Sequence, residues 1–218
     1  MILDVEFYNN HVRQVKDFSL TVATLEEQLK TIHYTGEKRT IELEIEDAKL
    51  PPFALPFYSF FYQTGRIPTE DEFVEEYLKN EEIEVMGEKV QIGSTVASKE
   101  GLVGRLLRTY PSLIRDFHFY FLALNSGYFE AVRYSFKKDY FGKIDIQVCV
   151  EGKWYNVGLL LASKRSLFFR KKKQSRHKPV DVIYIELEDK DAKWVGDFKL
   201  YTEKHIIQLV KTIHTIKP

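Results

Sequence analysis

Apolar and polar positions alternate at two periods along this chain, and the change of period marks its elements. Near 23–32 the apolar residues recur at helical spacing, and at 40–45 they alternate with polar ones as in a strand wet on one face. Pro51, Pro52 and Pro56 close that stretch, and the aromatic run 57–62 reads as a buried helix. Thr69 then stands before Glu70, Asp71 and Glu72, which predicts a capped helix start with acids in the turn where the helix dipole favours them. Glu70, Asp71, Glu75 and Glu76 therefore have a structural explanation that needs no metal.

After a polar stretch at 93–101 the pattern becomes more apolar. Pro111 suits the first turn of a helix running to Leu124 and stopped by 125–127. Strands are expected at 128–138, 143–150 and Lys153–Leu161, the last two forming a hairpin across Glu151-Gly152. A basic stretch at 164–178 precedes a β-branched run at 180–187, a strand-like piece at 194–201 and an amphipathic helix at 203–213 with Ile206, Leu209, Val210 and Ile213 on one face. The fold class expected is a mixed α+β or α/β protein.

Charge changes this picture. The chain holds 32 Lys+Arg and 32 Asp+Glu. Residues 1–98 carry 19 acids and 9 bases, whereas 99–218 carry 13 acids and 23 bases. Two regions are expected, an acidic 1–98 acting in recognition or regulation and a basic 99–218 suited to a polyanion. The 16 Phe and 13 Tyr exclude global disorder. Charges interrupt every apolar run before it reaches the roughly 18–20 residues of a membrane span, and Asp4 and Glu6 lie where a signal peptide would be basic, so a cytoplasmic protein with no membrane partner is expected. Cys149 is the only cysteine and lies inside a strand run, which excludes intrachain disulfides and cysteine-based zinc sites. No Gly-rich phosphate loop, Gly-x-Ser-x-Gly elbow or His-Glu-x-x-His pair occurs.

The basic stretch offers a binding surface. Lys164, Arg165, Arg170, Lys171, Lys172, Lys173, Arg176 and Lys178 make up eight of its fifteen residues, with no acid among them. Phe168 and Phe169 would anchor it while the charges contact phosphates; the plain alternative is a solvated lysine run.

The order helix, three strands, basic segment, strand, together with Asp145 in Gly142-Lys143-Ile144-Asp145-Ile146-Gln147 and Lys164 in Ala162-Ser163-Lys164, resembles the core of the PD-(D/E)XK, or restriction-endonuclease-like, nuclease superfamily. The resemblance spans about residues 105–190 and implies a C-terminal core of helix, three-stranded meander, helix, strands and helix behind a mixed α/β N-terminal extension. It also implies Mg²⁺ or Mn²⁺ chemistry, with Asp145 as ligand, Lys164 orienting water or stabilising charge, Gln147 beside them, and DNA in preference to RNA as partner. Ala162 stands where that family has a metal-binding Glu. Asp139, Asp116 or Glu130 would have to replace it, Glu151 lying at the far end of the hairpin. An endonuclease of restriction, repair or mobile elements is one expectation. The others are a catalytically inactive subunit that binds nucleic acid or a protein partner, and a scaffold or homodimer assembled through opposite charges.

Overall fold

The computed structural model describes every residue except 1, 8–11, 18–19, 37–38, 40, 49, 81–82, 94, 140–143, 163–180 and 217–218, with the backbone alone for 2–7, 12–17, 80 and 95. It is a mixed α/β structure with six α-helices and three sheets among the described residues. The chain forms two compact units, one from Met1–Thr24, Arg115–Trp194 and Lys199–Pro218, the other from Leu25–Ile114 and Val195–Phe198. Whereas charge divides the sequence at 98/99, these contacts interleave the two parts. The division by sign survives: the first unit carries 22 bases and 14 acids, the second 10 bases and 18 acids.

The second unit contains most of α1 (Val22–Thr31), α2 (Leu43–Asp47), α3 (Ala54–Thr64), α4 (Glu70–Asn80) and a small antiparallel sheet of β3 (Glu84–Met86), β4 (Lys89–Ile92) and β5 (Thr95–Ser98). Its core is aromatic: Phe57 packs edge-on against Phe73 and Tyr110 at 6.2 Å each. Of the strand expected at 40–45, residues 43–45 instead form the start of α2. Arg105 donates to the Ile45 carbonyl and Arg108 pairs with the Glu46 carboxylate, so a helical turn satisfies what an isolated strand would leave open. Glu70 is buried but accepts from the Thr35 amide at 2.8 Å and the Thr35 hydroxyl at 2.6 Å.

Helix α5 (Lys99–Asn125) is longer than expected, because Pro111 lies inside it and not at its start. An interior proline costs about 3 kcal/mol. Leu106, Leu107, Tyr110, Ile114 and Phe117, buried on either side, offset that cost at roughly 1.5–3 kcal/mol for each large apolar side chain.

The first unit is built on a six-stranded sheet ordered β2-β1-β6-β7-β8-β9. The hairpin of β1 (Ile2–Phe7) and β2 (Val12–Asp17) joins through a parallel pairing of β1 with β6 (Ala131–Ser135). Strands β6, β7 (Ile146–Val150) and β8 (Lys153–Leu161) form an antiparallel meander, and β9 (Val182–Leu187) runs parallel to β8. Glu151 and Gly152 both take positive φ, 51° and 71°, which makes the tight β7–β8 turn. Val132, Val148, Val157 and Ile185 share the apolar face, while Arg133, Gln147, Asn156 and Glu186 share the other. The strand-like piece at 194–201 is a hairpin of β10 (Lys193–Val195) and β11 (Phe198–Leu200), because Gly196 turns the chain at a φ of 55°. Helix α6 (Glu203–Ile216) follows with Ile206, Leu209 and Ile213 buried.

The start of α4 gives the first testable consequence. Thr69 and Glu72 form a reciprocal capping box, the Thr69 amide donating to the Glu72 carboxylate at 2.9 Å and the Glu72 amide to the Thr69 hydroxyl at 3.3 Å. Arg66 grips the same carboxylate through both terminal nitrogens. The Arg66 hydrogen bond, helped by Thr69, holds Glu72 down at about 2 from an ordinary 4.5. A depressed carboxylate stabilises the fold above its unfolded pKa and loses that contribution as pH falls from about 4.5 through about 2. Both side chains are partly exposed, so solvent screening keeps the contribution to about 1 kcal/mol. Glu72→Gln is expected to lower the urea midpoint at pH 7 and to match wild type near pH 2; an equal loss at both pH values would refute the ionic role.

Candidate active site

The end of the sheet at which β7 begins collects ionisable groups from several elements of the first unit. Asp145 directly precedes β7. Its amide continues the ladder to Val157 O at 2.9 Å, and its Oδ2 accepts the Leu159 amide at 2.5 Å. The carboxylate is thereby held against the β8 backbone. Gly158, level with Asp145 in the register, leaves no room for a side chain, since a Cβ there would stand 2.7 Å from the Tyr184 ring.

Asp139 follows β6 and accepts the Tyr134 hydroxyl at 2.6 Å. Asp116 enters from α5. Burial is the largest cause raising its pKa well above the usual carboxylate value, the negative charges of Asp145 and Asp139 raise it further, and Arg115 opposes them. Asp116 keeps some accessible surface, yet no hydrogen bond reaches its carboxyl among the described residues. Arg115 is turned to Lys199 O, 3.2 Å from its Nε. Tyr201 is buried and donates to Leu160 O at 3.1 Å; burial first, then the charge of Asp116, pushes its phenol well above its ordinary value and keeps it a neutral donor.

The structure thus brings Asp116, Asp139 and Asp145 into one electrostatic cluster. Gln147, two residues beyond Asp145 on the same face, has its side-chain amide engaged by the protein itself. Its Oε1 accepts Lys138 Nζ at 2.7 Å, its Nε2 donates to Asn156 Oδ1 at 2.7 Å, and Asn156 Nδ2 reaches Asp181 O at 3.2 Å. This directed chain ties the strands together on the polar face and uses both ends of the Gln147 amide. Ala162 lies four residues beyond the position level with Asp145, roughly 13 Å along the strand, with its amide on Leu187 O. The place expected of the missing Glu is therefore not beside Asp145. Glu130 is also distant: it accepts the Gly152 amide at 3.1 Å, at the opposite end of the hairpin. Lys164, Arg165, Arg170, Lys171, Lys172, Lys173, Arg176 and Lys178 lie outside the described residues. Burial pushes the Cys149 thiol up, consistent with packing rather than reactivity.

Sequence reasoning missed Lys138, Asn156, Arg115 and Tyr201. Lys138 and Arg115 each adjoin a candidate aspartate in sequence, a signal that was available; Asn156 and Tyr201 become visible only through register and packing.

Among the described residues no three His, Cys, Asp or Glu side chains are arranged to hold a metal ion. A hard dication often takes only one or two carboxylates from the protein and completes its shell with water and substrate phosphate. The desolvated Asp116 beside Asp145 fits that limited donor set. No helix among the described residues is long and apolar enough to cross a membrane. A scan against protein-family models, a search of curated proteins and a search of solved structures each found no match to the chain.

Asp116 supplies a stability test. A carboxyl whose folded pKa is raised costs stability as pH climbs above its unfolded value of 3.8. Asp116→Asn is expected to raise the urea midpoint at pH 7 and leave it unchanged near pH 3. A substitution that destabilises equally at both pH values would mark the carboxyl as a structural hydrogen-bond acceptor.

Proposed function

We propose that the chain is a metal-dependent nuclease-like protein that binds DNA and cuts its phosphodiester bonds at the carboxylate end of the β6–β9 sheet. The observation that carries this reading is Asp145, held by the Leu159 amide at the start of β7, whose charge with that of Asp139 acts on the desolvated carboxyl of Asp116. The path from α5 through an antiparallel meander to a strand parallel with the last of the three supports it, since the resemblance to restriction endonucleases calls for that order.

A bound Mg²⁺ or Mn²⁺ would polarise the scissile phosphate and lower the pKa of its water. Asp145 and Asp116 are the residues that would hold it, with Asp139 beside them. Hydrogen bonding to Leu159 fixes the orientation of Asp145 before substrate arrives. Tyr201, buried and neutral, feels the charges of Asp116 and Asp145 and adds none of its own. Lys164 and the basic stretch behind it would hold the phosphate backbone.

A second reading is a subunit that binds nucleic acid, or a protein partner or second copy, without cutting. The position of Ala162, away from Asp145, favours it.

The purified chain with Mg²⁺ or Mn²⁺ is expected to nick duplex, single-stranded or branched DNA. Asp145→Asn, which retains an oxygen for the Leu159 amide, should reduce the rate by at least about a hundredfold while leaving the circular dichroism unchanged. Cleavage that persists in this variant would remove Asp145 from the site. An absence of cleavage on all three substrates, alongside DNA affinity that falls steeply with salt, would favour the binding subunit. With several phosphate contacts, raising salt from 50 to 200 mM should weaken binding by about a hundredfold or more.

A further inference from the structure

Open apolar side chains gather on one part of the second unit. Among the described residues Ile41, Leu43, Val85, Met86 and Val96 are exposed there, on α2, its approach and the small sheet. The exposed apolar residues of the first unit, Tyr128, Trp194, Ile207 and Ile216, are instead spread over the stretch after α5, β10 and α6. Strand register puts Met86 and Val96 on one face of the small sheet, since Met86 is level with Lys89 and Ser98, and Val96 with Gln91 and Glu84. Val90 and Ala97 are buried on the opposite face, so the face of Met86 and Val96 is the outward one. Helix α2 lies beside β5, and its Leu43 is 76% exposed. Apolar surface concentrated in this way marks a place for a partner.

Charge gives the face a sign. The elements α2, β3, β4 and β5 contain four acids, Glu44, Glu46, Asp47 and Glu84, and one base, Lys89. Arg108 takes Glu46, whereas the exposed side chains of Glu44, Asp47 and Glu84 make no hydrogen bond or ion pair among the described residues. Acids alone would be an ordinary solvated surface. Acids around open leucine, methionine and valine side chains match a partner that is basic and apolar together.

This chain contains such a segment. Between Lys164 and Lys178 the run Leu167-Phe168-Phe169 is accompanied by eight Lys and Arg residues and no acid, a density of bases reached nowhere else in the sequence. The segment lies outside the described residues. Its charges repel one another, and a negative surface relieves that repulsion. Fifteen extended residues reach roughly 50 Å, enough to cross from one copy of the chain to another.

We propose that the acidic apolar face of α2 and the β3–β5 sheet docks residues 164–178 of a second copy of this chain. Phe168 and Phe169 cover Leu43, Met86 and Val96, and the bases meet Glu44, Asp47 and Glu84. Exchanged reciprocally, two such contacts close a two-fold dimer. The docking does not depend on the nucleic-acid reading above. On that reading the same bases contact phosphates, so the second copy and DNA compete for them.

Sedimentation velocity of the full chain tests the proposal. A monomer–dimer equilibrium is expected that weakens at least about tenfold as salt rises from roughly 50 to 500 mM. Leu43→Ser with Met86→Ser, both at exposed positions, should weaken the dimer by at least about tenfold with unchanged circular dichroism, and so should Phe168→Ser with Phe169→Ser, which keeps every base. A mixture of the two variants retains one intact face and one intact segment. It should dimerise more tightly than either variant alone, a recovery that damaged folding would not give. A chain that stays monomeric at about 100 μM, a dimer indifferent to either pair of substitutions, or a mixture no tighter than its components would each overturn the proposal. Duplex DNA should dissociate the dimer, and DNA bound by the intact dimer would overturn the docking of this segment. A chain that dimerises in this way and binds no DNA upholds the docking and loses only the nucleic-acid reading.

Discussion

Placing a carboxyl where it resists ionisation is the constraint around which the first unit is arranged. Asp116 lies on α5 with Asp145 and Asp139 as charged neighbours and no hydrogen bond among the described residues to compensate its burial. A helix chosen only for packing would carry an apolar residue there, since Phe117, Phe119, Tyr120 and Phe121 beside it are all buried without penalty. The neighbours that do have partners accept donors fixed by the sheet: Leu159 for Asp145 and Tyr134 for Asp139. Two acids are thus anchored by the fold, while the third accepts no hydrogen bond among the described residues. A carboxyl left in that state is a candidate for a functional role, on which the proposed metal site draws.

The sheet separates the two kinds of work. Its apolar face holds Val148, Val157 and Ile185 at full burial, which supplies cohesion. Its other face carries the Lys138–Gln147–Asn156 chain, a cross-strand polar network whose members satisfy one another. Rigid strands beneath polar groups are what a positioned site requires, because a carboxylate displaced by an ångström loses much of its effect.

Elements with a single dominant period were legible in the sequence. The range Lys153–Leu161 is the observed β8, and Thr69 caps α4 as its spacing implied. Misreadings came where side chains from distant positions decided. Arg105 and Arg108 turn an alternating segment into α2, and burial on both sides of Pro111 carries α5 through a residue that ordinarily opens a helix. Gly196 splits one strand-like run into a hairpin. At the site, Asp145 could be read from its place before a strand and Asp116 and Asp139 as candidate acids, whereas the distance of Ala162 from Asp145 could not. Sequence order places Ala162 two residues before Lys164, but strand register places Gly158 level with Asp145. Register is a property of pairing and is invisible in one strand.

The charge division gains a physical location from this arrangement. A net surplus of eight bases belongs to the unit that also contains Asp116, Asp139 and Asp145. A phosphate backbone approaching such a unit is attracted over long range by the surplus and repelled at short range by the carboxylates. Only a cation or proton between phosphate and carboxylate removes the second effect. On the nuclease-like reading proposed above, affinity for nucleic acid and affinity for a dication should therefore reinforce each other, by a factor that is the same whichever binds first. A surface holding phosphates by lysines alone has no reason to show such coupling, and that reciprocity separates a built site from a basic patch.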